Sequence, residues 1–457
     1  MTPVPTRAWV VLIVVSIGQM TTTFAGSALN VGFGVIEEDL GVERTTLAWS
    51  ISGYAIAAAA FILAAGRAVD RVGGRRVFLW GMAGFAVGSL VSAVAPGAGT
   101  LIAGRVIQGL AASAMIPSSL SLALHEFPLQ RRSLAVSVWG GIAAVAGASG
   151  PPLGAALIEL GSWRLVFVVL VVFSVGVFII GFVVLTDPPL GRSQGRVDVI
   201  SGPLASLAVG LLVAALLQSA VWGWGDARVL AALAASPILL AVVGRRSSTH
   251  PTPLVDLALL RKRRFVTASS MTTVYNAAAT GYWLAAPLFL QTIRDWSILQ
   301  SGFGIIGTPI THMLVTGPFG RLADQGRHKL LMVIGALMTA GAFGGFAIVV
   351  TETSSYWTSI LPLTILLGAG TGMAWPVFTS AALIGVEPSQ YGQANGLNLT
   401  MRQLGAAIGI AVVIAVVGNS GEATLDDFSA AWAMAAIALV CCAAVIAVAY
   451  PSRSSAH

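Results

Sequence analysis

Arg105, His312 and Arg402 fall inside long, mostly apolar runs of the chain. Such placement is expensive: an arginine at the centre of a membrane-spanning helix costs about 2.5–3.5 kcal/mol on insertion scales. A side chain kept at that penalty usually faces a cavity or a partner. Arginine offers a fixed positive charge and a fork of donors. Histidine, with an unperturbed pKa of about 6.5, takes up and releases a proton near neutrality. These three, with Arg402 nearer one end of its run, are therefore candidates for a coupling or relay role. The plainer readings are a buried structural pair or an outward-snorkelling chain for arginine, and a neutral, hydrogen-bonded side chain for His312.

A second cluster lies between two apolar runs. Gly66-Arg67-Ala68-Val69-Asp70-Arg71-Val72-Gly73-Gly74-Arg75-Arg76 holds one carboxylate, four arginines and three glycines. Arginines at the end of a span hold a loop in the cytoplasm. An Asp among them can form a charge-assisted latch that a moving helix must break. The plainer reading is an ordinary topogenic loop. The pattern recurs at Gly320-Arg321-Leu322-Ala323-Asp324-Gln325-Gly326-Arg327, one residue shorter between Asp and Gly. Gating candidates are thus Gly66, Asp70, Arg71, Gly73, Arg75 and Arg76 in the first copy, and Gly320, Asp324 and Arg327 in the second. A third stretch, Gly150-Pro151-Pro152-Leu153-Gly154, predicts a kinked helix, since proline removes a backbone hydrogen bond. Gly150 and Gly154 would let a neighbouring helix approach that kink.

The elements that position these groups follow from composition. The chain is 56% hydrophobic and 9% charged, against roughly 25% charged in a soluble domain. Its mean hydropathy is +0.87. The apolar runs are continuous rather than alternating, which argues against a barrel. The fold class is an all-α polytopic membrane protein of about fourteen spans. Expected spans are 9–34, 46–66, 77–95, 101–123, 134–158, 165–185, 202–222, 229–243, 267–291, 302–320, 331–350, 360–383, 396–418 and 431–450. The pair 202–222 and 229–243 is the least regular, its second member being short. We expect an N-terminal six-helix bundle over 1–186, a linker over 187–265 with two extra spans and a basic surface helix near Leu254 to Leu260, and a C-terminal six-helix bundle over 266–457. Loops with Arg131, Arg132, Arg192, Arg196, Arg245 and Arg246 alternate with loops holding Glu37, Glu38, Asp39, Glu43, Glu422, Asp426 and Asp427. The positive-inside rule then puts both termini in the cytoplasm. The net charge of +7 is this bias and not a nucleic-acid signal. Cys441 and Cys442 read as packing residues, and no cleavable signal is expected at the first run.

The motifs resemble the major facilitator superfamily, and within it the fourteen-spanner drug:proton antiporters. The Gly66–Arg76 loop resembles the loop between spans 2 and 3, with Ala68 and Val69 as mild departures. Arg105-Val106-Ile107-Gln108-Gly109 is similar to the R-x-x-Q-G of span 4, and Gly147 to Gly154 to the antiporter motif of span 5, where Ala146 and Ala155 replace two glycines. Ser162-Trp163-Arg164 with Phe167, the Gly368 to Pro376 run, and Arg402-Gln403-Leu404-Gly405 extend the likeness over nearly the whole chain. One departure is sharp. The family often carries an Asp in span 1, and here Ala25 stands in its place, with Gly34 in place of a proline.

The resemblance implies two rocking bundles around a shared site, alternating access and export of a small amphiphilic compound. It implies the proton gradient as driving force, with no cofactor. It implies a plasma (inner) membrane location, a lipid bilayer and a small molecule as partners, and a monomer. The spans that line the cavity in this family place Asn30, Tyr54, Gln108, Tyr275, Asn276, Tyr282, Trp283 and Trp375 as substrate-cavity candidates, although such side chains also serve as packing anchors. Without the span 1 carboxylate, a uniporter or a non-transporting sensor or scaffold of the same fold are the alternatives. A membrane enzyme is not expected, since no metal-ligand cluster and no nucleophile beside a base stands out.

Overall fold

The computed structural model describes residues 5–128, 132–186, 200–250, 258–386, 391–418 and 423–451. Helices α1 (Thr6–Val31), α2 (Phe33–Leu40), α3 (Arg44–Val72), α4 (Gly74–Ala93), α5 (Ala98–Glu126), α6 (Arg132–Glu159) and α7 (Arg164–Val184) form the first half. Helices α8 (Ser201–Trp222) and α9 (Ala227–Thr249) follow. The second half comprises α10 (Arg263–Thr292), α11 (Ile298–Gly304), α12 (Gly307–Asp324), α13 (His328–Val349), α14 (Leu361–Leu383), α15 (Tyr391–Val417) and α16 (Leu425–Ala449). Fourteen of these are 18 residues or longer, and no strand occurs among the described residues. The fourteen expected spans each find their helix. Among the described residues ten helical stretches are long and apolar enough to cross a bilayer unaided, and α6 adds one bent by 41°. Helix α10 is more polar and buries Thr267, Ser269, Thr272, Tyr275 and Asn276.

The two halves repeat one packing plan. Helix α1 lies on α6 as α10 lies on α15, α4 on α5 as α13 on α14, α3 on α5 as α12 on α14, and α4 on α7 as α13 on α16. Lipid tails are as apolar as leucine, so helices in a membrane gain mainly from close packing over small residues. The sequence supplies these in matching places. A Cβ on Gly154 of α6 would stand 2.7 Å from the Ala28 carbonyl of α1, and Gly409 of α15 meets the Ala277 carbonyl of α10 in the same way. A Cβ on Gly88 would stand 2.8 Å from Gly104 O, and one on Gly335 2.9 Å from Gly370 O. The turns repeat as well. Gly73, at φ 103°, joins α3 to α4, and Gly326, at φ 81°, joins α12 to α13; a side chain is strained at such angles.

Helices α8 and α9 form a hairpin outside this symmetry, and α8 rests on both α3 and α15. Its turn is set by Asp226, which accepts from the Arg228 backbone at 2.8 Å and from the Arg228 guanidinium at 2.9 and 3.0 Å. That guanidinium lies 3.8 Å over the Trp222 ring. Capping by Asp226 starts α9 two residues earlier than expected, and the helix continues to Thr249, so the short span is a full one.

Pro309 precedes His312 by three residues without breaking the helix. It sits in the first turn of α12, where a missing N–H leaves no hydrogen bond unmade. The break in that span lies earlier, between α11 and α12. The bend in α6 falls between Gly147 and Ser149, four residues before Pro151 and Pro152, whose rings remove donors to that turn. Leu254, Leu257, Arg131, Arg192, Arg196 and Glu422 lie outside the described residues, so the surface helix is described only from Ala258, where Leu259–Arg261 makes one 3-10 turn.

Candidate functional site

In the first bundle the membrane arginine is fully enclosed. Arg105 of α5 donates through Nε to the Ser50 carbonyl of α3 at 3.0 Å, and through Nη1 to Gln108 Oε1 at 2.8 Å. Gln108 passes the chain on, donating to Ser89 Oγ of α4 at 2.7 Å. The guanidinium also lies 4.5 Å over the Tyr54 ring, and the Tyr54 hydroxyl donates to the Thr22 carbonyl of α1 at 3.1 Å. Arg105 and Gln108 are completely buried. The spacing of R-x-x-Q puts both side chains on one face of α5, so they bond each other as an i, i+3 pair. The result is a polar knot tying α1, α3, α4 and α5 together. Tyr54 and Gln108, expected along a cavity, are parts of this knot.

In the second bundle the corresponding groups are arranged differently. His312 Nδ1 of α12 lies 3.1 Å from Thr371 Oγ1 of α14. The His312 ring meets Trp375 edge-on at 5.8 Å between centroids. The Arg402 guanidinium of α15 lies 5.5 Å over the same indole. Asn276 of α10 donates to the Arg402 carbonyl at 2.7 Å. His312, Trp375 and Arg402 are each only half-buried. Helix α12 packs on α6 and α15 packs on α3, so the surface between them, where Trp375 lies, is turned to the first bundle. The glycine run of α14 explains how these side chains meet. Gly368 and Gly372, one turn apart, lie against the Thr308 and His312 carbonyls of α12, while Gly370 faces α13. The close approach of α12 and α14 carries His312 to Trp375.

Four candidates from separate parts of the sequence thus come together: Asn276, His312, Trp375 and Arg402. Tyr275 and Tyr282 do not join them. Each is buried in the second bundle, Tyr275 with its hydroxyl 2.8 Å from Thr339 Oγ1 and Tyr282 with its hydroxyl 3.0 Å from Thr308 Oγ1. Trp283 packs edge-on against Tyr282 at 5.7 Å. Among the loop candidates, Arg75 donates to the Phe182 carbonyl at 2.8 Å and tethers α4 to α7. Arg76 and Arg327 are exposed. Gly66 and Gly320 have open space where a Cβ would be. The side chains of Asn30, Asp70, Arg71 and Asp324 lie outside the described residues.

Besides the α15–α3 and α12–α6 packing, the bundles are hydrogen-bonded at the end that carries Glu37, Glu38 and Asp39. Gln291 Nε2 of α10 donates to the Val31 carbonyl at 3.0 Å, and the Leu299 amide of α11 donates to Glu159 Oε1 at 2.7 Å. A Cβ on Gly302 would stand 3.0 Å from the Pro151 carbonyl, beside the kink of α6. At this end α2 is fastened to its own bundle. Asp39 accepts from Trp163 Nε1 at 2.9 Å and from Arg164 Nη1 at 2.8 Å, and Arg164 also donates to the Ala95 carbonyl at 3.0 Å. The indole and guanidinium donors hold the Asp39 carboxyl below its ordinary value. Half-buried Glu37 pairs with nearly enclosed Arg44 at 3.1 Å. None of these end contacts was singled out from the sequence. The S-W-R motif was its only trace, and its partner Asp39 lies 124 residues away from Trp163.

Two repeated bundles of membrane helices, packed α3 on α15 and α6 on α12, define a polytopic membrane protein of transporter type. The family model of the Major Facilitator Superfamily matches residues 15–410 and also 268–457, and the chain belongs to this family. It is 29% identical over 433 residues to the tetracenomycin C resistance and export protein of Streptomyces glaucescens, covering 93% of this chain and 79% of that protein. It is 29% identical over 449 residues to the cephamycin export protein CmcT of Amycolatopsis lactamdurans, covering 96% and 91%. The crystal structure of the nucleoside transporter NupG superposes with a TM-score of 0.67 at 14% identity, over 96% of this chain and all of that one, a likeness of fold alone.

Proposed function

We propose that this transporter exports a small amphiphilic compound by alternating access, with protons moving the other way. The observation that carries this reading is that relatives matching more than nine-tenths of the chain are named as export or resistance proteins. The geometry is consistent with it. Both described hydrogen bonds between the bundles lie at the acidic end, which the charge bias assigns to the outside. In this arrangement the chain is closed outside and presents the His312–Trp375–Arg402 surface toward the cytoplasm. Both termini are then cytoplasmic, the membrane is the plasma membrane, and the monomer suffices, since both halves of the site come from one chain. We divide the chain as 1–186 and 266–457, joined by 187–265.

His312 is the group we assign to the proton, because no Asp or Glu lies near the middle of any span. A uniport mechanism is the second reading, favoured by Ala25 at the place of the family's span 1 carboxylate. The test is a susceptibility screen with antibacterial compounds in cells that do and do not express the chain. Expression should raise the tolerated concentration of at least one amphiphilic compound. No change across a broad panel, with the protein present in the membrane, would refute export.

A further inference from the structure

We propose that the second bundle carries an anion-binding subsite, formed by Arg402 and Trp375, that selects flat aromatic compounds bearing a carboxylate or phenolate. This names the substrate class for the exporter proposed above and rests on that reading for its role in transport.

The argument begins with two arginines of unlike circumstance. Arg105 is enclosed, and two of its nitrogens have acceptors within 3.0 Å. Arg402 is half-buried, and among the described residues its guanidinium has no carboxylate and no hydrogen-bond acceptor. Its one described side-chain contact is the Trp375 ring. A cation held in a low-dielectric region without a counter-charge is costly, and an anion that arrives there gains more than it would in water. The planar fork matches a carboxylate with two parallel hydrogen bonds. The indole under the guanidinium is oriented by the His312 edge and is itself only half-buried, which leaves part of an aromatic surface for a flat ring. Asn276, bonded to the Arg402 carbonyl, fixes α15 against α10 at this level. Among the described residues, no carboxylate of the opposite bundle pairs with Arg402. No Asp or Glu of that bundle's sequence falls near the middle of a span, and Ala25 occupies the span 1 place of the family's Asp. Among the described residues, the uncompensated charge beside Trp375 is that of Arg402.

The test uses the full chain in lipid nanodiscs and three probes with one ring system: 2-naphthoate, 2-naphthol and trimethyl-(2-naphthyl)ammonium. At neutral pH they are anionic, neutral and cationic. Equilibrium binding of the wild type should favour naphthoate over the ammonium by about tenfold or more, equivalent to about 1.4 kcal/mol. Arg402→Gln should remove that preference and leave naphthol binding unchanged. Arg402→Lys should weaken naphthoate less, since an ammonium keeps the charge but not the fork. Trp375→Ala should weaken all three probes, and Trp375→Phe should restore part of that loss. Equal or tighter binding of the cation, no binding of any probe, or an unchanged preference in Arg402→Gln would overturn the proposal. Should Arg402→Gln fail to remain monodisperse, the wild-type ratio and Arg402→Lys decide it, and naphthoate affinity unaltered in Arg402→Lys counts against it. No gradient is applied, so binding without any transport would refute the export reading and leave the subsite standing. Export of cations with no naphthoate binding would do the reverse.

Discussion

At the scale of the residue, the sequence marks Arg105 and Arg402 alike and the structure separates them. Both stand in apolar runs, and burial cost flags both. What distinguishes them is whether acceptors from other helices reach the guanidinium, and Ser50 is 55 positions from Arg105. No local pattern carries that. His312 was visible as a titratable group, but its place beside Trp375 depends on the approach of α12 to α14 at Gly368 and Gly372. If the proton runs through His312, His312→Gln should abolish accumulation driven by a pH gradient while substrate binding and downhill exchange persist. A mutant that still concentrates substrate with unaltered pH dependence would move the search to Asp70, Asp324 or uniport. Asp39 gives a second test. The Trp163 and Arg164 donors hold its pKa below the ordinary 3.8. A carboxyl depressed in the folded state stabilises the fold above its unfolded pKa, and the contribution is lost as pH falls through the folded value. Asp39→Asn should therefore lower the thermal midpoint at neutral pH and at about pH 5 alike, the difference shrinking only below about pH 4. A difference already absent at about pH 5 would contradict the assigned contacts.

At the scale of the element, the helices were legible and their partners only partly so. Hydropathy and run length marked fourteen spans because a bilayer demands about 20 apolar residues from each. The Gly-Pro kink was readable because proline acts on its own backbone. The threonine partners of Tyr275 and Tyr282 could not be read from the sequence, because an aromatic hydroxyl looks the same whether it meets a threonine or a cavity. Close approach predicts which glycines are indispensable. Gly154→Val would push a side chain into the Ala28 carbonyl and should cost about 1–3 kcal/mol in stability, lowering folded yield and midpoint. Gly176→Val, on α7 with open space at its Cβ, should change little. Equal effects at the two sites would refute the α1–α6 packing described above.

At the scale of the whole molecule, the repeat was visible in the two Gly…Asp…Gly loops. The end contacts were not, since Gln291–Val31 and Glu159–Leu299 join positions 260 and 140 residues apart. Orientation is open to labelling. In a background lacking Cys441 and Cys442, single cysteines at 70, 131, 192, 262 and 327 should react from the cytoplasm, and those at 41, 226 and 422 from outside. Position 226 is the sharpest, because it reports whether α8 and α9 both cross. A cysteine pair at 34 and 291, where a Gly34 Cβ would lie 3.8 Å from the Gln291 amide oxygen, should crosslink and arrest transport until reduced. Continued transport by the crosslinked chain would show that this end need not open.

The central claim is that the two bundles move a small molecule against its gradient at the expense of protons. Its most direct measurement is uptake into inside-out vesicles holding the purified chain, using a compound identified by the susceptibility screen, with and without an imposed pH gradient. Accumulation above equilibrium that requires an acidic lumen and collapses when a protonophore is added is the predicted result. Uptake that stops at equal concentrations whatever the gradient would contradict proton-driven export and leave a uniporter in its place.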